Sequence, residues 1–185
     1  MDYRLAVLLT VFLPLILLIW AFVRQSSAIQ LLLTIYWKVA SLLMITVYLM
    51  IGGFSFAFVT GLMARILIPV GLWFWDDLNE EIREQPNSLL RFLLVSWRWA
   101  VTIYSGIGAV AVALFLPCAF SNLQFAGRAC QTWLEPPLLY KHYFHFSYTN
   151  GFLGFFGLVG LVIYLLVLGY FLLVKLGRQG RSAMN

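Results

Sequence analysis

Residues 29–75 form a mostly apolar run of 47 residues, broken by one lysine, Lys38, one arginine, Arg65, and the pair Gly52-Gly53. A membrane-spanning helix needs roughly 20 apolar residues. The run is therefore too long for one crossing and fits two. Glycine reaches the left-handed backbone that a tight turn needs. A turn at Gly52-Gly53 gives helices over 29–51 and 54–75, each about 33 Å long. On the same rise Lys38 and Arg65 both fall ~20 Å from the turn, at one depth in the same half of the bilayer. The chain then turns acidic: five of its seven carboxylates are Asp76, Asp77, Glu80, Glu81 and Glu84.

The sequence is 63% hydrophobic and 10% charged, where a soluble domain carries about 25% charge. That excludes a soluble globular fold, and the ten-residue alternation of a transmembrane β-barrel is absent. The expected fold is all-α and integral to the membrane, a single membrane domain of five transmembrane helices over 5–23, 29–51, 54–75, 89–120 and 151–174. Residues 76–88 make an acidic aqueous connection and residues 121–150 an outer loop. Pro14 removes one backbone hydrogen bond and kinks the first helix. Arg91 and Arg98 precede the uncharged run 99–120, so the fourth helix is expected to protrude at its start. Four spans is the alternative, with the uncharged 39–64 crossing once and 63–75 lying at the interface; charge does not decide between them.

With five spans, Arg24, Arg83, Arg91, Lys175, Arg178 and Arg181 share one side, and Arg4, Arg128 and Lys141 the other. The positive-inside rule then places the N-terminus outside or lumenal and the C-terminus and acidic connection in the cytoplasm. Trp20, Trp37, Trp73, Trp75, Trp97 and Trp99 cluster toward that inner interface. The net charge of +5 is accounted for by this topology, and no nucleic-acid partner is expected. Asp2 and Arg4 give little basic n-region and no small-x-small site follows Trp20, so the first apolar segment is expected to be retained.

Several groups are candidates for a site. A cation inside a span costs about 2.5–3.5 kcal/mol on insertion scales, so it faces protein, water or an anion. Lys38 and Arg65 are thus candidates for an anionic lipid or a partner carboxylate, with snorkelling to the interface as the alternative. Thr34, Lys38 and Ser41 share a helical face, and Gly53, Ala57 and Gly61 form a small-residue row continued by Arg65, the pattern that lets helices approach closely. Ser105, Ala109 and Ala113 make a second row, and Gly151, Gly154, Gly157 and Gly160 a third. The run Asp76, Asp77, Glu80, Glu81 and Glu84 lacks a histidine or a second acidic motif, so it is read as a docking face at a helix start rather than a metal or acid–base centre. His142 and His145 stand at i, i+3 and could ligate a pigment magnesium if both lay on a short helix; as a metal site two lone histidines are weak, and no metal is expected. Cys118 and Cys130 both fall on the outer side, where a disulfide is permitted. No nucleotide-binding or hydrolytic motif occurs, so no enzyme is expected.

The stretch Trp73-Phe-Trp-Asp-Asp-Leu-Asn-Glu-Glu-Ile82 carries a resemblance. With Asp2-Tyr-Arg-Leu-Ala-Val7, Ala64-Arg-Ile-Leu-Ile-Pro69, Ser96-Trp-Arg-Trp-Ala-Val101, Trp133-Leu-Glu-Pro-Pro137 and Lys175-Leu-Gly-Arg-Gln-Gly-Arg181, it resembles a family of small cyanobacterial membrane proteins of unknown function. The likeness covers nearly the whole chain. It implies a thylakoid membrane, with the plasma membrane as the other location, and no catalytic residues. In that setting the expectation is a non-catalytic accessory or assembly factor, serving photosystem II reaction-centre biogenesis. Its partners would be membrane lipids and photosystem II reaction-centre proteins, with chlorophyll or carotenoid at an interface. The alternative is a small transporter or lipid-binding protein built on Lys38 and Arg65.

Overall fold

The computed structural model describes residues 3–121, 125, 127–175 and 182–183, and their regular structure is all helical. Helix α1 is Leu5–Val23, α2 Ser27–Ile51, α3 Ala57–Trp73, α4 Asp76–Glu84 and α5 Leu89–Ala113. Short helices α6 (Pro117–Phe120), α7 (Arg128–Thr132) and α8 (Glu135–Phe144) follow, then α9 (Asn150–Tyr170), which runs on as a π-helical turn over Phe171–Lys175. Among the described residues four segments are long and apolar enough to cross a membrane: α1, α2, α5 and Asn150–Val174. Helix α3 has 17 residues, about 26 Å, and meets α4 at a bend of 55°.

The breaks have local causes. Gly53 has φ +75, its N–H bonds to the Met50 carbonyl, and the Phe54 N–H reaches back to Leu49. That is a Schellman stop, which satisfies two carbonyls at the end of α2. Residues 39–64 are therefore not one helix, and the single crossing of the four-span alternative is not formed. The same motif ends α1, with Gln25 at φ 53 and the Ser26 N–H on the Ala21 carbonyl. Helix α5 ends at Ala113 rather than Phe120. Pro117 lacks an N–H, and its ring would clash with the carbonyl four residues back, that of Ala113.

The chain divides into two compact units. The first comprises Met1–Ala40, Ile66–Ile107 and Tyr170–Asn185. Its core interleaves Leu17 and Ala21 of α1 with Ile29, Leu32 and Tyr36 of α2, Leu72 of α3, Leu78 and Ile82 of α4, and Leu94 and Val101 of α5, all buried. Leu78 and Ile82 stand four apart, one apolar face of the otherwise charged α4.

The second unit comprises Ser41–Arg65 and Gly108–Gly169. One cluster gathers Leu49, Met50, Ala57 and Leu134, and another Phe58, Cys118 and Cys130. Among the described residues of the expected outer loop lie the short helices α7 and α8, and Cys130 of α7 and Leu134, which follows it, join this core. Arg178 and Arg181, used in the orientation argument, lie outside the described residues, as do the side chains of Arg4 and Lys175.

Candidate functional site

Among the described residues of the first unit the most enclosed charge is Arg98, 3% exposed. It lies in the third turn of α5, covered by protein rather than exposed. Its Nη2 donates to the Leu72 carbonyl (2.7 Å) and to Asn79 Oδ1 (2.6 Å), and its guanidinium carbon lies 4.1 Å from the Trp73 ring centroid. Asn79 Nδ2 donates to the Trp73 carbonyl, and Trp73 Nε1 to Thr102 Oγ1. Leu72 and Trp73 end α3, whose last carbonyls lack helical partners and carry partial negative charge. Among the described residues Arg98 pairs with no carboxylate; the helix terminus and the indole face take that role. The cluster fixes the bend between α3 and α4, and with it the presentation of the acidic helix. Nothing in the run around Arg98 distinguishes this from a solvated arginine; the fold had to bring Asn79 and Leu72 beside it.

A second polar arrangement repairs α1. Pro14 has no N–H, so the carbonyls of Leu9 and Thr10, its π- and α-helical partners, go unpaired. Tyr36 Oη donates to the Thr10 carbonyl (2.8 Å) and Trp97 Nε1 to that of Leu9 (2.8 Å). In lipid an unpaired carbonyl costs several kcal/mol, which explains why two aromatic donors are directed at a broken stretch of helix.

Helix α4 directs Asp76, Glu80 and Glu84 outward, while Asp77 and Glu81 are half-buried. Asp77 Oδ2 accepts from the Ser182 hydroxyl (2.9 Å) and the Ala183 N–H (2.7 Å). One carboxylate of the expected docking face is therefore engaged by the chain's own tail.

Lys38 lies in the first unit and Arg65 in the second. Thr34, Lys38 and Ser41 all lie on the exposed side of α2. The Arg65 guanidinium covers Gly108 of α5, where a Cβ would collide with it, so Arg65 does face a neighbouring helix. Gly61 packs on Thr46, with 3.3 Å from its Cβ position to Thr46 Cγ2. Ala57 is fully buried, whereas Gly53 serves the turn. In the other row Ser105 is buried, Ala109 half-buried and Ala113 exposed. Gly154, Gly157 and Gly160 lie against Gly52, Leu49 and Ile45; a Cβ on Gly154 would come 2.7 Å from Gly52 Cα. That glycine row serves contacts inside this chain.

Cys118 and Cys130 form a disulfide with Cα atoms 6.0 Å apart. His142 is exposed on α8, while His145 caps its end at φ −137, ψ 37, so the two do not share a helical face. The His145 ring lies among Tyr48, Tyr140 and Tyr148, with Nε2 3.5 Å from Tyr48 Oη. Among the described residues no group of three or more His, Cys, Asp or Glu could hold a metal ion.

Over the described residues these features define an all-helical protein with four helices suited to crossing a membrane and buried polar groups that mend or brace helix ends. The chain belongs to the family DUF3177, a protein family of unknown function whose model matches residues 1–184. No curated protein and no solved structure matches it.

Proposed function

We propose that this is a non-catalytic accessory or assembly factor that docks another integral membrane protein through the outward face of α9, with the carboxylates of α4 as a second contact. The observation that carries this reading is the bareness of the last span. Only 6% of its apolar window is buried, against 22–39% in the other three. Phe155, Phe156, Ile163 and Leu166 are all more than half exposed. The glycine row is occupied by α2, so the face open to a partner is the aromatic and aliphatic one opposite. In the bilayer such a face gains little from leaving lipid, which suits an association that must be reversible.

The finer reading has five spans, the third formed by residues 54–75, which include α3, with an outer N-terminus and α4 in the cytoplasmic connection. It places the protein in a thylakoid membrane, at photosystem II reaction-centre biogenesis. The charge distribution supports the orientation, and the family resemblance supports the setting. Purification in mild detergent followed by mass spectrometry tests the function. A defined membrane complex should co-purify and be lost from the triple variant Phe155→Ala, Phe156→Ala, Leu166→Ala, with thermal stability unchanged. Recovery of the same complex with the variant would contradict docking through α9.

A further inference from the structure

The start of α5 carries a groove of about 560 Å³ lined by Asn87, Ser88, Leu89, Arg91, Phe92 and Val95, within the range of small-molecule sites. Its one charged wall is held in place. Pro86 confines Gln85 to extended backbone, observed at φ −56, ψ 144. The Gln85 carbonyl accepts from Arg91 Nη1 at 2.7 Å, and Asn87 Oδ1 accepts from the same nitrogen at 2.9 Å. Gln85 is itself tied down, its Nε2 donating to Ser26 Oγ in the turn between α1 and α2.

These bonds use one of the three guanidinium nitrogens. Among the described residues Nη2 and Nε make no hydrogen bond, and Arg91 is only half-buried. An arginine oriented in this way offers a planar fork that matches phosphate oxygens. Beside it Phe92 is 67% exposed, Trp99 55% and Ile103 57%. With Val95 they follow one another at helical spacing as an outward apolar stripe. The fork stands in the first turn of a helix long and apolar enough to cross the membrane, the level at which headgroups lie and interfacial Trp and Arg collect.

We propose that this groove binds an anionic phospholipid, its phosphodiester on Nη2 and Nε of Arg91 and one acyl chain along Phe92, Val95 and Trp99. Charge selects the lipid class. The six lining residues include one cation and no carboxylate, so a headgroup of net charge −1 is matched and the ammonium of a zwitterionic lipid finds no partner.

Titration of the purified protein in phosphatidylcholine nanodiscs doped with phosphatidylglycerol, read by native mass spectrometry, tests this. Phosphatidylglycerol should be retained in preference to phosphatidylcholine. Arg91→Gln should weaken that retention about tenfold, the loss of a charge-assisted contact. Arg83→Gln, an exposed arginine outside the groove, should leave it unchanged. Phe92→Ser replaces an exposed side chain and keeps the test open if Arg91→Gln does not fold; it should weaken phosphatidylglycerol by several-fold. Equal retention by wild type and either groove variant would overturn the proposal. Full competition by inorganic phosphate alone would overturn it too, because the ligand would then be a free anion.

Discussion

Helix α2 and the last span, Asn150–Val174, are both 25 residues long, and the more apolar of the two is the less buried. The mean hydropathy of the α2 window is 1.7 with 39% of it buried; for the last span the values are 2.6 and 6%. In water the order would be reversed. Lipid tails are as apolar as leucine, so a leucine-rich helix gains little by turning inward. On α2 the inward residues include aliphatics, Ile29, Leu32, Leu33 and Leu49, and with them polar groups that lipid cannot satisfy. Tyr36 serves a broken helix, and Thr46 is 5% exposed with its hydroxyl on the Leu42 carbonyl and Thr60. On the last span the inward residues are Leu153, Gly154 and Gly157.

The contrast can be broken by substitution, with equilibrium unfolding in mixed micelles as the measurement. The largest effect is expected for Tyr36→Ala, which empties a fully enclosed ring site and exposes the Thr10 carbonyl, at a cost of about 3 kcal/mol. Leu166→Ala, a similarly drastic truncation on the outer face, should stay within about 0.5 kcal/mol. Comparable losses would mean that the two helices are equally packed. Next comes Gly154→Val, which forces α9 away from the Gly52 backbone and should cost roughly 1–3 kcal/mol. Gly151 has nothing within 4 Å of its Cβ position, so Gly151→Val should be nearly silent. The smallest loss among the inward changes is expected for Tyr36→Phe, which keeps the ring and removes only the hydroxyl. About 1–2 kcal/mol is expected from the unpaired carbonyl, and no change would show that the hydrogen bond does not help hold α1.

The helical membrane class and the turn at Gly52-Gly53 were legible because they are written locally, in long apolar runs and in glycine's backbone freedom. Arg65 facing a neighbouring helix was legible from the small-residue row it continues. The break at Pro14 was legible, but the donors that repair it were not, because Tyr36 and Trp97 lie 26 and 88 residues from the carbonyls they reach. In the sequence Arg98 marks only the charged start of a helix expected to protrude. Its burial depends on the terminus of α3 arriving beside it, which no spacing around residue 98 encodes. The same holds for Asp77, whose partners lie at the other end of the chain.

The claim that matters most is that the bare face of α9 is covered by another membrane protein. A photocrosslinking residue placed at Leu166, and separately at Phe155, tests it in native membranes. The account predicts one and the same protein adduct from both positions, lost when Phe156 and Ile163 between them are changed to alanine. Adducts with lipid alone at both positions would contradict it.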